Sequence, residues 1–173
     1  MTVVGGIQTG TRNMVKYISE GDIFKIEGVN NYAHGCNCAG VMGKGIALVF
    51  RSKYPQMYNK YKELCKNGDF TPGRVMAYPT GGGLSKGGVV FNLGTQSSWK
   101  TGARLEYIQD SLEVMVGMAL DLKITKIAMP AIGAGLGGLK WDDVKAVIDK
   151  IAGRIPEEKL TLFVVEKYSP INS

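Results

Sequence analysis

Short apolar segments that are rich in β-branched and aromatic residues recur along the chain, and this pattern is typical of strands. Their lengths suit strands better than helices, which usually need about ten residues or more. The pattern predicts six strands, at residues 14–19, 31–37, 74–79, 88–94, 126–132 and 159–167.

Between the strands, apolar residues recur at spacings of three and four, which places them on one face of a helix. The clearest run extends from Leu105 to Leu122, and a second extends from Trp141 to Ile151. A third helical region begins at residue 45 and is interrupted at Pro55, because proline disfavours helical geometry in the preceding residue and donates no backbone N–H. The pattern therefore predicts two helices that meet at Tyr54.

Strands that alternate with helices of this length indicate an α/β domain, with a largely parallel or mixed sheet that is covered on both faces. The chain has 173 residues, close to the usual size of one domain. We therefore expect a single domain over residues 1–173. Residues 79–88, "PTGGGLSKGG", are predicted to form a mobile loop between strands.

Composition narrows the class of protein. Hydrophobic residues make up 45% of the chain and charged residues 21%, which is ordinary for a globular protein, and no apolar run approaches the ~20 residues that span a bilayer. The N-terminal segment lacks the pattern of a secretory signal, and three cysteines give no disulfide framework. We expect a cytoplasmic monomer without membrane insertion.

The formal net charge is +6, and the 21 lysines and arginines are spread along the chain. Such a charge permits attraction to phosphate-bearing partners. It fits nucleic acid and a small anionic ligand equally well, so charge alone does not decide between them.

Two glycine-rich turns each lie between a predicted strand and a predicted helix, "GVMGKG" at residues 40–45 and "GAGLGG" at residues 133–138. Glycine lets backbone amides approach a ligand without a Cβ in the way, and the N-terminus of the following helix adds positive partial charge. The two turns are therefore expected to bind one anion from two sides.

Two nucleotide-binding motifs compete for these turns. "GAGLGG" matches G-x-G-x-x-G, and Glu157 and Glu158 follow at about the distance expected for ribose binding, which leaves a dinucleotide-dependent oxidoreductase open. However, only 35 residues and one clear strand follow that turn, too few for the rest of such a fold. A triphosphate-binding loop is excluded, because Cys38 and Gly45 stand where that motif needs glycine and Ser or Thr.

A metal site is a further alternative. His34, Cys36 and Cys38 alternate along a predicted strand and would share one face. Zinc sites, however, usually have wider C-x-x-C spacing and a fourth ligand from elsewhere. Buried cysteines are more often small core residues, so we expect neither a metal nor a cofactor.

Four segments carry a resemblance to a known family. They are "GDIF" (21–24), "AHGCNCAGVMGKGIALVF" (33–50), "FNLGTQ" (91–96) and "MPAIGAGLGGLKW" (129–141). In this order they resemble the ligand-binding segments of a macro domain, the ADP-ribose-binding module. The resemblance extends over about residues 14–168, with residues 1–13 as an N-terminal extension. It is strongest to the branch of ADP-ribose-1''-phosphate phosphatases and terminal ADP-ribose protein glycohydrolases, and it implies a three-layer α/β/α domain with a mixed central sheet.

The resemblance also implies the contacts with ADP-ribose. Asp22 would accept a hydrogen bond from the adenine amino group beside the Ile23 amide, and Asn37 would contact the distal ribose. The alternatives are purely structural roles, in which Asp22 caps a turn and Asn37 closes its strand. The diphosphate and distal ribose would lie between the two glycine turns, against Gly43, Lys44, Gly45, Ile46, Thr95, Gln96, Gly133, Ala134, Gly135, Leu136 and Gly137.

Catalysis is implied less directly. Glycohydrolases of this branch use a lysine after the strand-ending threonine and an aspartate in the second glycine turn, where this sequence has Gln96 and Gly137. His34, the only histidine, resembles a histidine of the phosphatases and could act as a general acid or base near neutral pH. The alternative is a histidine packed within its strand.

Aromatic and basic residues complete the expected site. Tyr168 is the candidate for stacking on adenine, with Phe24 and Tyr17 as competitors. Trp99 is expected to border the distal ribose, and Arg104 could meet a terminal phosphate. The sequence thus predicts an ADP-ribose-binding protein that hydrolyses ADP-ribose-1''-phosphate or removes ADP-ribose from a modified protein or nucleic acid. A non-catalytic reader of ADP-ribose is the alternative.

Overall fold

The structure is a computed structural model that describes residues 14–81 and 87–171. The strands in these residues are β1 (Val15–Ile18), β2 (Tyr32–Asn37), β3 (Val75–Pro79), β4 (Val89–Gln96), β5 (Lys126–Pro130) and β6 (Thr161–Val165). The α-helices are α1 (Gly45–Lys53), α2 (Pro55–Lys66), α3 (Leu105–Asp121) and α4 (Trp141–Ala152). Short 3₁₀ helices span Ile23–Lys25 and Gly135–Gly137.

The six strands form one mixed sheet in the order β1-β6-β5-β2-β4-β3. β3 pairs antiparallel with β4, whereas the other neighbouring strands are parallel. Each predicted strand is present within one to two residues of its expected ends. The prediction of a mixed sheet is confirmed.

Helices cover both faces of the sheet. On one face, α3 and α4 contribute Ile108, Leu112, Val144 and Ile148 to a core with β-strand residues such as Phe91. On the other face, α1 and α2 contribute Phe50, Met57 and Tyr61 to a second core. The predicted three-layer α/β/α arrangement is therefore confirmed, because each amphipathic helix buries its apolar face against the sheet.

The predicted break at Pro55 is also confirmed. α1 ends at Lys53, and Tyr54 adopts φ −131° and ψ 68° between the two helices. Proline occupies the first position of α2, where its missing N–H has no helical acceptor to lose. On either side of the break, α1 and α2 both pack on the same face of the sheet.

The parallel strands end at one edge of the sheet, so the segments that follow them lie side by side. In spatial order these are the segments after β1, β6, β5, β2 and β4. Four strand intervals separate β1 from β4, which is roughly 19 Å at the usual spacing of strands. Between β5 and β2 the chain connections diverge to opposite sides, and open α/β sheets bind ligands in the crevice at such a point.

Two sequence predictions lie partly outside the described residues. The N-terminal extension at residues 1–13 is outside the described ranges, and so are residues 82–86 of the expected mobile loop. The single domain over residues 1–173 therefore stays a prediction. Within the described ranges, no helix is long and apolar enough to cross a membrane.

Candidate functional site

A cavity of about 610 Å³ opens at the carboxyl edge of the sheet, between the loops that follow β2, β4 and β5. Both glycine turns line it. The expected site residues that line it are Asn37, Gly43, Lys44, Gly45, Ile46, Thr95, Gln96, Gly133, Ala134, Leu136 and Gly137. The expected residues outside this lining are Asp22, Ile23, His34, Gly135 and Tyr168.

The first glycine turn is shaped by Asn37, at the end of β2. Its Oδ1 accepts hydrogen bonds from the amides of Ala39 (3.0 Å) and Val41 (3.4 Å), and its Nδ2 donates to the Val41 carbonyl (2.8 Å). The Tyr61 hydroxyl lies 2.9 Å from the same Oδ1. Asn37 therefore closes its strand, the alternative raised from the sequence, while it also lines the cavity.

The N-terminus of α1 lies at the cavity. Gly45, Ile46 and Ala47 form the start of this helix and line the cavity. In the described part of the chain, no side chain caps this N-terminus. Uncapped helix N-termini carry unsatisfied N–H donors and positive partial charge, so this turn is suited to a phosphate group.

The second glycine turn follows β5 and is fixed from two sides. The Leu139 amide donates to the Gly133 carbonyl (2.9 Å), and the Ala103 amide donates to the Gly137 carbonyl (2.9 Å). The Leu136 side chain reaches toward the first turn, because a Cβ added at Gly45 would lie 3.3 Å from Leu136 Cδ1. The two turns thus approach each other across the cavity.

The floor of the cavity lies between the ends of β2 and β4. Thr95 Oγ1 donates to the Cys36 carbonyl (3.4 Å), and Gln96 Nε2 donates to the Ser98 carbonyl (2.8 Å). Gly35 has no room for a side chain, since an added Cβ would lie 2.9 Å from Thr95 Oγ1. These contacts position the Gln96 amide at the distal end of the cavity.

His34 is outside the cavity lining, and its surroundings favour the alternative of a histidine packed within its strand over a catalytic role. Its ring is completely buried and stacks on Phe50 of α1, with ring centroids 4.0 Å apart. Its Nε2 donates to Asn92 Oδ1 (2.7 Å), and Asn92 Nδ2 donates to the Met76 carbonyl (3.0 Å). Burial lowers the pKa of His34 to about 4 although the Asn92 contact opposes the shift. His34 is thus a neutral, satisfied core residue beneath α1.

Asp22 and Tyr168 lie together at the other end of the carboxyl edge. The Asp22 carboxylate accepts from the Phe24 amide (2.9 Å) and from the Ile171 amide (2.9 Å), which is the capping alternative raised from the sequence. An isolated β-bridge pairs the backbones of Gly21 and Tyr168. The competitor Tyr17 packs against Trp141 of α4 instead, which leaves Tyr168 and the partly buried Phe24 as aromatic candidates near Asp22.

Arg104 and Trp99 have different surroundings. Arg104 pairs with Glu106 at 3.0 Å, and neither side chain lines the cavity. Trp99 does line it, as expected.

The sequence analysis missed the remaining lining residues, which are Gly35, Cys36, Val41, Ala47, Pro130, Ala131 and Ile132. They flank the motifs, and their position directly beside strand ends was the signal available for finding them.

The chemistry of the lining is mostly apolar and backbone. Its titratable side chains are Lys44 and Cys36, and burial raises the pKa of the Cys36 thiol well above its usual value. Among the described residues, no group of three or more His, Cys, Asp or Glu side chains is arranged to bind a metal ion. The cavity therefore offers amide donors and one ammonium group, a combination that suits a phosphate-bearing ligand.

These features define an α/β domain with a cavity suited to an anion at the carboxyl edge of its sheet, and comparison with known proteins identifies the family. The macro domain profile matches residues 33–148. A DNA ADP-ribosyl glycohydrolase of Mycobacterium tuberculosis is 33% identical over 150 residues, or 87% of this chain. The chain belongs to the macro domain family. This identification replaces the alternative of a dinucleotide-dependent oxidoreductase.

Other relatives agree with this family. An ADP-ribose 1''-phosphate phosphatase of Lodderomyces elongisporus is 29% identical over 148 residues, covering 79% of this chain and 92% of the relative. The solved macrodomain of Mycobacterium tuberculosis DarG is similar at a TM-score of 0.78 and 32% identity, covering 92% of this chain and 99% of that one. The chain spans 42% of the length of the Mycobacterium tuberculosis glycohydrolase, so the match concerns only part of that relative.

Proposed function

We propose that this macro domain binds ADP-ribose and removes it from a modified macromolecule, with ADP-ribosylated DNA as the substrate. The observation that carries this proposal is the convergence of both glycine turns and the α1 N-terminus on one cavity. The diphosphate would lie between the turns, and the distal ribose would lie near Asn37 and Gln96. The choice of DNA is supported by the relatives that are named DNA ADP-ribosyl glycohydrolases.

The lining limits the mechanism. Cleavage at the distal ribose passes through an oxocarbenium-like transition state that water must attack. Neither titratable side chain of the lining can act as a base for this water, because Cys36 is a protonated thiol and Lys44 is a cation. We propose that the amides of Asn37 and Gln96 orient a water molecule and that a diphosphate oxygen of the ligand accepts its proton. The water oxygen bonds to C1'' while the bond from C1'' to the leaving group breaks; the leaving group departs with the bonding electrons and takes up the proton held by the diphosphate oxygen. Without a side-chain acid or base, turnover is expected to lack the ~10²- to 10⁴-fold that such a group supplies.

A non-catalytic reader of ADP-ribose is the second candidate. It is favoured by one specific observation: among the described residues that line the cavity there is neither a carboxylate nor an imidazole. A reader would use the same contacts to bind modified DNA and leave it intact.

Three substrates tested side by side separate these functions. ADP-ribosylated single-stranded DNA, an ADP-ribosylated protein and ADP-ribose-1''-phosphate are each incubated with catalytic amounts of protein. Release of ADP-ribose from DNA over many turnovers supports the proposed hydrolase, whereas phosphate release would favour the phosphatase activity. Binding without release identifies a reader. No saturable heat with millimolar ADP-ribose in calorimetry would reject the binding proposal itself.

Replacing Asp22 tests the adenine end of the site. If the Asp22 carboxylate accepts from the adenine amino group, Asp22→Asn is expected to weaken ADP-ribose binding by about 1–3 kcal/mol, because the amide nitrogen cannot accept that bond. The variant keeps an oxygen for one of the two backbone amides that Asp22 now binds. Calorimetry on the variant and the parent protein measures the difference.

The matched ligand for this test carries hypoxanthine in place of adenine. Hypoxanthine presents a carbonyl where adenine presents an amino group, so the parent protein should prefer ADP-ribose and Asp22→Asn should lose or reverse that preference. Equal discrimination by both proteins would show that Asp22 only caps the 3₁₀ helix.

We further propose that the protein is cytoplasmic and monomeric and has no membrane partner. The cysteine content and the length of the apolar runs support the cytoplasmic location and the lack of a membrane partner. Light scattering of the purified protein measures the oligomeric state directly.

A further inference from the structure

Trp99 projects from a tight turn at the mouth of the cavity. Its side chain lines the cavity and is nevertheless 62% exposed. The turn is fixed by its neighbours, since the Ser98 amide donates to Thr101 Oγ1 (3.1 Å) and the Thr101 amide donates to the Ser98 carbonyl (3.3 Å). An aromatic ring on such a fixed turn is available to a ligand at little cost in conformational entropy.

The surroundings of Trp99 are apolar and positively charged. Leu136 is 71% exposed and Val41 is 41% exposed, and both lie on the lining of the same cavity. The Lys100 ammonium lies 5.1 Å from the centroid of the Trp99 ring. Within residues 14–81 and 87–171, neither Lys100 nor Lys44 forms an ion pair.

This combination matches a nucleobase in a single strand better than a peptide. A base offers a planar face that stacks on an aromatic ring whatever its sequence, and the adjoining phosphates attract lysines. A peptide modified on an acidic or hydroxyl side chain offers no planar ring at the point of attachment. Trp99 follows β4, and this end of the carboxyl edge is the end assigned to the distal ribose. The group attached to the distal ribose must therefore project from the cavity near Trp99.

We propose that Trp99 is the stacking platform for the DNA base that carries ADP-ribose, with Lys44 and Lys100 beside the flanking phosphates. This inference rests on the proposed function, and it adds the residues that distinguish a nucleic-acid substrate from other ADP-ribosylated molecules. The exposed part of the Trp99 ring extends beyond the cavity, so its loss should weaken binding of the modified DNA more than binding of free ADP-ribose.

The test compares Trp99→Ala with the parent protein on three probes, free ADP-ribose, an ADP-ribosylated single-stranded DNA oligonucleotide and an ADP-ribosylated peptide. Dissociation constants are measured by stopped flow, before any turnover. Trp99→Ala is expected to bind the oligonucleotide about 5- to 100-fold more weakly, the range found for loss of one base–aromatic stack. Its affinities for free ADP-ribose and for the peptide should fall by a smaller and equal factor, because both ligands meet Trp99 only where it borders the distal ribose.

Two variants control this measurement. Trp99→Tyr keeps an aromatic face and should retain most of the oligonucleotide affinity. Val114→Ala shortens an exposed apolar side chain on α3, outside the cavity lining, and should bind all three probes like the parent protein. An equal loss with oligonucleotide and peptide, or no loss with either, would overturn the role of Trp99 as a base platform.

Intrinsic fluorescence gives an independent readout, because the chain has two tryptophans. Trp141, at the start of α4, donates its Nε1–H to Glu166 (2.7 Å), and neither residue lines the cavity. Binding of the oligonucleotide should quench fluorescence in the parent protein and not in Trp99→Tyr when excitation is selective for tryptophan; quenching retained in that variant contradicts the proposal. Failure of the parent protein to bind free ADP-ribose would instead reject the proposed function, and this inference with it.

Discussion

Replacing Gly133 with alanine is expected to lower the free energy of unfolding by about 2–5 kcal/mol and to remove most of the affinity for ADP-ribose. Two costs add. Gly133 has φ +75°, a left-handed conformation that is unfavourable for alanine. An added Cβ would also lie well within the van der Waals contact distance of Ile108 Cδ1 and 3.2 Å from Leu139 Cδ1. Ile108 is fully buried in the core, so turning its terminal methyl group away from the new Cβ would disturb the packing around it.

Gly135 provides the matched control. It has φ +62° in the same turn, and nothing lies within 4 Å of a Cβ added there. Gly135→Ala therefore carries the backbone cost alone, about 1–2 kcal/mol. Thermal unfolding and calorimetry with ADP-ribose measure both variants. Equal destabilisation by the two substitutions would mean that the core accommodates the clash, and unchanged ADP-ribose binding by Gly133→Ala would remove this turn from the proposed cradle.

The fold was largely predictable because its signals are local. Apolar spacings of three and four identify α3 and α4, and Pro55 separates α1 from α2 through a constraint on the residue before it. The glycine turns were predictable for a related reason, since glycine at a strand end indicates a close approach or a left-handed backbone. Gly45 and Gly133 both have positive φ and both line the cavity.

The role of His34 was not predictable from such signals. Alternation along β2 correctly places His34 and Cys36 on one face, with Cys36 Sγ 3.5 Å from His34 Nε2. Because a mainly parallel sheet is covered on both faces, alternation does not show which face opens to a ligand. Phe50 from α1 covers the His34 ring, and this contact depends on tertiary packing between segments sixteen residues apart.

The hydrogen-bond partner of His34, Asn92, was not predictable from local sequence patterns either. It lies opposite His34 in the register of β2 and β4, and its Oδ1 accepts a hydrogen bond from His34 Nε2. In the sequence, Asn92 is one polar residue within an apolar strand, and pairing it with His34 requires knowledge of which strands are neighbours. The site residues that were recognised belong to contiguous loops, whereas the partners that decide their chemistry come from other strands.

His34 is expected to make the protein less stable in mild acid. Its pKa is about 4 in the folded protein because burial disfavours the charged ring, whereas an unfolded histidine has a pKa near 6.5. Between these values the unfolded chain binds a proton that the folded protein does not, so stability falls as pH decreases from about 6.5 to 4. The loss should approach about 3 kcal/mol at the lower limit.

His34→Gln isolates this contribution, because His34 is the only histidine and glutamine keeps an N–H donor for Asn92 without titrating. Chemical denaturation of both proteins at pH 7, 6, 5 and 4 gives the free energy of unfolding at each pH. The carboxylates titrate equally in both, so the difference between the two curves belongs to His34, and it should narrow as pH falls. The same burial predicts that turnover shows no histidine-dependent change between pH 5 and 8. Parallel stability curves, or a turnover profile that loses a step near pH 6 to 7 in the variant, would mean that the imidazole titrates in contact with water and would return His34 to the catalytic role first expected of it.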